Sequence, residues 1–224
     1  MLPNGCELDR FDVAETAGRA WRAANGIADD ACLLLYPGTL GMVNDVDWLA
    51  EFVLAAVGEF DNFVFVSIGE GREKDAFVEA LTDAGVPADR AMVLAPAPKS
   101  QMPSIFSAAD LVISTVKPIE ELEANSANKF FDGLASGTPV LINHGGWQQR
   151  TLEDAGAGGR LPRPMPEAMA ALRPWAVDAE ARACAGHRAR ELAAAQFDRE
   201  KLADRLEALL AETVQCSMRF AHLD

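Results

Sequence analysis

The feature that most constrains this chain is a series of five short, almost unbroken apolar runs, separated by stretches with helical spacing. The runs are ACLLLY (31–36), NFVFVSI (62–68), AMVLA (91–95), LVIST (111–115) and PVLIN (139–143). A strand with one wet face alternates apolar and polar residues, whereas a strand covered on both faces reads as a continuous apolar run. Between the runs, Val46, Leu49, Phe52, Val53, Ala56 and Val57 recur at helix spacing, as do Phe77, Val78 and Leu81. A β-α-β-α order with right-handed crossovers requires a parallel sheet with helices on both faces. The expected class is therefore α/β, doubly wound and Rossmann-like.

The two ends read differently. From about Pro166 no strand pattern remains, and helices are expected over 166–173, about 177–196 and 198–215, with Asp198 capping a stripe of Leu202, Leu206, Leu209 and Leu210. The first thirty residues also lack a strand and end in the helical AETAGRAWRAAN. The expected organisation is a linker with a lead-in helix (1–30), a Rossmann-like core (31–165) and C-terminal helices packed on that core (166–224).

Charge and cysteine usage exclude several classes. With 34 acidic against 20 basic residues the formal charge is −14, and no basic run or helix face would attract a phosphate backbone, so nucleic acid is not an expected partner. No apolar run approaches the roughly 20 residues that span a bilayer, and the N-terminus has no signal-peptide pattern, which leads to the expectation of a cytoplasmic protein without a transmembrane segment. Cys6, Cys32, Cys184 and Cys216 lack CxxC spacing, and the histidines form no ligand pattern with them. Free thiols, no metal site and no cofactor are expected.

In open parallel sheets ligands bind beyond the carboxyl ends of the strands, so the loops that follow the five runs are where function should lie. They are PGTLG (37–41), GEGRE (69–73), PAPKS (96–100), VKP (116–118) and HGG (144–146). Gly38, Gly41, Gly69, Gly71, Gly145 and Gly146 fall there. Each alone is an ordinary strand-to-helix turn; three glycine pairs on one sheet edge suggest close approach of a ligand. Lys129 adds to this. If Ser126 is the N-cap, Lys129 stands in the first helical turn, beside the positive end of the dipole. Either an i,i+3 pair with Asp132 holds it, or the helix start faces an anion and Lys129 converges with the amides on phosphate oxygens. In the second case Asp132, one turn on, could accept hydrogen bonds from a ribose diol. Trp48, Trp147 and Trp175 read as packing residues. His144, at a strand end, could face a sugar or simply form a turn.

These pieces, taken in order, carry a resemblance. PNGCELDRF, YPGTLG, SIGEGRE, PAPKSQMPSIFSAADLVIST, SANKFFDGLASGTPVLINHGGW and LEDAGAG resemble the C-terminal, donor-binding domain of a GT-B fold glycosyltransferase. The family is the retaining group 4 family (glycosyl transferases group 1), and the closest likeness is to bacterial O-antigen and capsule polysaccharide transferases. The resemblance covers nearly the whole chain. It implies a nucleoside diphosphate sugar as partner, with uracil as the base, and metal-independent, retaining transfer of a hexosyl or N-acetylhexosaminyl group in polysaccharide or lipopolysaccharide biosynthesis. Ala97, Pro98 and Lys99 would meet the base through main-chain groups, Ser126, Asn128 and Lys129 the diphosphate, and Asp132 the ribose. Gly38 to Gly41, with Gly145 and Gly146, would line the sugar and phosphate side.

Three departures limit what the resemblance implies. The family's paired carboxylates, eight positions apart, read here as Ala124 and Asp132. Its arginine and lysine after the first glycine read as Thr39 and Asn44, so Lys117 and Lys129 are expected to replace that pair in stabilising the leaving diphosphate, unless Lys117 merely pairs with Glu120 or Glu121. The acceptor-binding N-terminal domain is absent, and the expectation is a chain inactive alone. Such a chain could be one half of a split enzyme, with a separate acceptor-binding domain or self-association through the C-terminal helices, or a complete transferase could sit at the inner face of a membrane. The alternative is a non-catalytic nucleotide-sugar-binding module.

Overall fold

The computed structural model describes residues 3–220, and side-chain burial for residues 3–213. Six parallel strands form one sheet in the order β3-β2-β1-β4-β5-β6. They are β1 (Cys32–Pro37), β2 (Phe63–Ile68), β3 (Ala91–Leu94), β4 (Leu111–Ser114), β5 (Val140–Ile142) and β6 (Gly158–Arg160). The crossovers are α2 (Val46–Glu59), α3 (Lys74–Asp83), α4 (Met102–Ala108), α5 (Asn128–Ala135) and α6 (Trp147–Ala155). Every residue of β1, β2, β4 and β5 is buried, as their unbroken apolar character requires, while edge strand β3 is only half-buried.

Alternate side chains divide between two core layers. Leu33, Leu35, Val64, Val66 and Val112 face one layer, which also holds Phe106, Phe130 and Phe131. Leu34, Tyr36, Phe63, Phe65 and Ile113 face the other, with Leu49, Phe52 and Phe77. The period-two alternation of the pleat thus supplies both faces at once. The C-terminal helices are α7 (Met165–Val177), α8 (Ala179–Leu192) and α9 (Arg199–Phe220), with a π turn over Ala193–Phe197. Buried Leu172 joins α7 to the second layer, and Leu192 and Phe197 join the first. No helix among the described residues is long and apolar enough to cross a membrane.

Three features differ from the sequence expectation. β6, in Gly158–Arg160, was not anticipated, because three residues with two glycines carry no apolar pattern. A Cβ on Gly158 would lie 1.9 Å from the Val140 carbonyl oxygen, so the approach to β5 depends on glycine. Helix α7 does not stop at Arg173 but runs through Pro174, and Arg182 Nη1 donates to the Trp175 carbonyl at 2.8 Å in its last turn. The lead-in segment, read from the sequence as a linker with a helix, packs on the core. Its helix α1 (Glu15–Ala24) meets α4 so closely that a Cβ on Gly18 would lie 2.4 Å from the Ser107 oxygen. Buried Arg22 donates from Nε to the Ala108 carbonyl and from Nη1 to that of Ala31, at 2.7 and 3.0 Å, and pairs with Asp110.

Candidate functional site

The chain passes from β1 outward to β3, then returns to lay β4 on the other side of β1. That reversal opens a crevice at the carboxyl ends of the central strands. A crevice of about 500 Å³ lies there, within the usual range for small-ligand sites. It gathers residues from three loops and one helix: Gly38 and Thr39 after β1, Gly69 and Glu70 after β2, Ala97 and Lys99 after β3, and Asn128, Lys129 and Asp132 on α5. Met102 and Phe106 of α4 add an apolar wall.

Glycine makes the floor possible. A Cβ on Gly69 would fall 1.9 Å from the Gly38 carbonyl oxygen, so the ends of β1 and β2 touch backbone to backbone. At Gly38 the nearest atom to an added Cβ would be Lys129 Nζ, 3.7 Å away, which shows that the lysine points at this turn. Gly71 has the same kind of constraint, its Cβ position lying 1.9 Å from the Leu40 oxygen.

Helix α5 starts one residue later than expected. Ala127 is the N-cap and offers no side-chain hydrogen bond, whereas Ser126 Oγ accepts instead from the Asn4 amide at 3.4 Å. Lys129 nevertheless lies in the first turn. Its stem keeps partial exposure, but its Nζ is buried without a hydrogen-bond partner, over the Tyr36 ring at 4.1 Å from the centroid. Of the two alternatives open in the sequence, the ion pair with Asp132 is not formed. Burial alone pulls the Lys129 ammonium down to about 7. Asp132 is pushed up to about 6, chiefly by burial and partly by Glu7, against the opposing pull of Arg10, Arg199 and Lys99. Burial also raises the Tyr36 phenol, whose hydroxyl donates to the Thr39 carbonyl at 2.8 Å.

The other residues singled out in the sequence lie outside the crevice lining. Asn44 Nδ2 donates to the Thr39 carbonyl at 2.7 Å and so shapes the first loop. Gly41 and Pro98 form turns, with the Pro98 carbonyl accepting from the Gln101 amide at 2.9 Å and that of Gly41 from the Asn44 amide at 2.8 Å. The Lys117 amide donates to the Val43 carbonyl at 2.9 Å, and its side chain forms no ion pair with Glu120 or Glu121 among the described residues. Gly145 and Gly146 make room for Glu123: Cβ atoms there would lie 2.9 Å from its Oε1 and 2.6 Å from its carbonyl oxygen. His144 is buried, its Nε2 3.3 Å from Asn125 Nδ2, and burial lowers its basicity. A larger cavity, about 580 Å³, opens between Trp147, Phe197 and Leu202, and Ser126 lines that one instead. It touches the loop after β4 through Ala124 and Ser126 but is otherwise lined mainly by α6, the π turn and α9. The smaller crevice joins the ends of β1, β2 and β3 beside the unpartnered Lys129 Nζ and is the better candidate.

Sequence reasoning missed Tyr36 and Glu123. Tyr36 ends an apolar run and reads as core; only the tertiary structure, in which Lys129 reaches from α5 to the end of β1, shows its ring beneath an ammonium. Glu123 sits one position before Ala124, where a carboxylate was sought, and its approach to Gly145 depends on the 3-10 turn over Glu120–Ala124. Among the described residues no group of three or more His, Cys, Asp or Glu could hold a metal ion.

No protein-family model and no curated protein matches the sequence. Solved structures do match the fold. The structure of Anabaena Alr3699/HepE in complex with UDP and glucose superposes with a TM-score of 0.78 at 17% identity, covering 93% of this chain and 55% of that one. WaaG, a glycosyltransferase involved in lipopolysaccharide biosynthesis, gives 0.71 at 20% identity over 87% of this chain and 52% of its own. The C-terminal domain of a glycosyl transferase group 1 family protein (LpcC) from Francisella tularensis gives 0.67 at 18% identity, over 87% of this chain and 100% of that domain. The chain spans about half the length of the first two. At these identities the likeness is one of fold, and the fold is the Rossmann-like α/β fold of the C-terminal domain of GT-B glycosyltransferases.

Proposed function

We propose that the chain binds the nucleoside diphosphate part of a sugar-nucleotide donor, a UDP-sugar, and is the donor half of a retaining, metal-independent glycosyltransferase of polysaccharide assembly. The observation that carries this is Lys129: a buried ammonium with no partner, at the start of a helix, in a crevice at the topological switch point. A diphosphate would supply the missing partner. Helix amides contribute only about half a charge, so the lysine would provide most of the local positive potential in a chain of net charge −14. Asp132, one turn further along the helix, suits a ribose diol, and the main chain at Ala97 and Lys99 suits a flat base against Met102 and Phe106. During transfer the developing charge on the leaving diphosphate would be met by Lys129 and the α5 amides, fixed dipoles that need no reorganisation. Lys117 does not line the crevice, and we assign it no contact there.

A non-catalytic nucleotide-sugar-binding module is a second reading, favoured by Ala124 in place of a carboxylate. Exposed Leu206, Leu209 and Leu210 on α9 fit a partner domain or a second copy needed to complete an active site. Calorimetric titration with UDP and uridine, in EDTA and in magnesium, tests the binding. UDP is expected to bind more tightly than uridine in both buffers. Equal affinities, or an absolute need for metal, would overturn the proposal, and turnover of a UDP-sugar would separate transferase from binding module.

A further inference from the structure

The base side of the crevice is a loop with little fastening of its own. Pro96 to Lys99 precede α4, and the loop is closed by one main-chain turn, from the Gln101 amide to the Pro98 carbonyl. The Lys99 carbonyl accepts a hydrogen bond from Arg10 Nη2. Arg10 lies 89 residues earlier, in the 3-10 turn over Leu8–Phe11. That turn is rigidly held. Phe11 packs edge-on against Phe106 with centroids 5.4 Å apart, and Arg190 Nη2 donates to the Leu8 carbonyl at 3.1 Å. The Arg10 side chain is 31% exposed and lies 4.0 Å from Glu7, a weak pair that does not account for its orientation.

We propose that Arg10 is a positioning residue for recognition of the donor's base: its guanidinium holds the main chain at Lys99 in the conformation that meets the nucleobase. This role rests on the donor-site reading above, and it makes the segment before α1 a working part of the site. Arg10 makes no hydrogen bond or ion pair with Lys129 on the phosphate side, and its charge favours the ionised form of Asp132 on the ribose side. Losing Arg10 therefore weakens what the base and ribose contribute and leaves the diphosphate contribution intact.

Arg10→Met removes the donor and keeps much of the stem; Arg10→Lys restores a single donor. The probes are uridine, UDP and inorganic pyrophosphate, measured by calorimetry, together with amide hydrogen exchange at residues 97 and 99–101 without ligand. Loss of one charge-assisted hydrogen bond corresponds to about a tenfold change, and Arg10→Met is expected to weaken uridine and UDP by a common factor of about that size. Pyrophosphate binding is expected to stay unchanged, exchange in the loop to accelerate, and Arg10→Lys to recover most of both effects. Equal weakening of pyrophosphate, or uridine binding unchanged in Arg10→Met, would overturn this role while leaving the donor site standing. Failure of the unsubstituted protein to bind uridine or UDP would overturn the donor-site reading and this role together.

Discussion

The Nζ atom of Lys129 lies 4.1 Å from the centroid of the Tyr36 ring and has no hydrogen-bond partner. A ring face attracts an ammonium by about 0.5 to 2 kcal/mol, well short of the several kcal/mol that desolvating a cation costs. The lysine is therefore held near about 7 and waits for an anion. Its retention at a crevice wall is hard to explain by stability alone.

Replacing Lys129 by methionine, of similar length, should stabilise the unliganded protein at pH 6. The folded value, about 7, lies below the ordinary 10.5, so between these limits the unfolded chain binds more protons and stability rises with pH. Denaturant melts should show the advantage of Lys129→Met over wild type shrinking from pH 7 to 10.5. A constant difference across that window would refute the unpaired-cation account.

For ligand binding the same side chain acts in the opposite sense. Lys129→Ala should weaken UDP by about tenfold or more, the size of one charge-assisted contact, and leave uridine unaffected. Lys117→Ala should weaken UDP much less, since that residue lies outside the crevice lining. Titration calorimetry on both variants decides between them.

Asp132 is pushed up to about 6 from 3.8, mainly by burial. On the proposed donor-site reading its charged form would accept hydrogen bonds from ribose hydroxyls, so uridine affinity should fall as the pH drops through about 6 and level off above 7. Uridine is the appropriate probe because phosphate groups titrate in the same range, at about 6. Asp132→Asn should bind more weakly at pH 7 and lose the pH dependence. Because the folded value is raised, the carboxylate's own contribution to stability is lost as the pH rises from 3.8 to 6, and the asparagine variant should gain relative stability above that window.

Gly69→Ala places a methyl 1.9 Å from the Gly38 carbonyl oxygen, which neither strand end can accommodate without moving. The expected cost is about 2 kcal/mol or more, as for overpacking in a core, with loss of UDP binding. Equilibrium denaturation giving wild-type stability would show that the strand ends are looser than drawn.

Leu206, Leu209 and Leu210 are 47%, 45% and 58% exposed along one stretch of α9. Sedimentation should show concentration-dependent association that Leu206→Glu with Leu210→Glu abolishes. A monomer at every concentration would remove the stripe as a contact surface.

Five strands, their alternation with helices and the placing of Lys129 and Asp132 on one helix turn at a strand-end loop were legible in the sequence, because strand and helix periodicities are local and repeat within a few residues. What the chain does at a distance was not. Strand β6 exists only because Gly158 can approach β5, and no apolar pattern marks it. Lys129 stands over Tyr36 instead of pairing with Asp132, and the lysine and the ring come together only because the fold brings the start of α5 to the end of β1. Arg10 against Lys99 and Glu123 against Gly145 likewise join residues whose spacing carries no signal. The sequence by itself determined the class of fold and which loops follow its strands. The tertiary structure decided which charged groups are left without partners there, since desolvation depends on neighbours supplied by the whole fold.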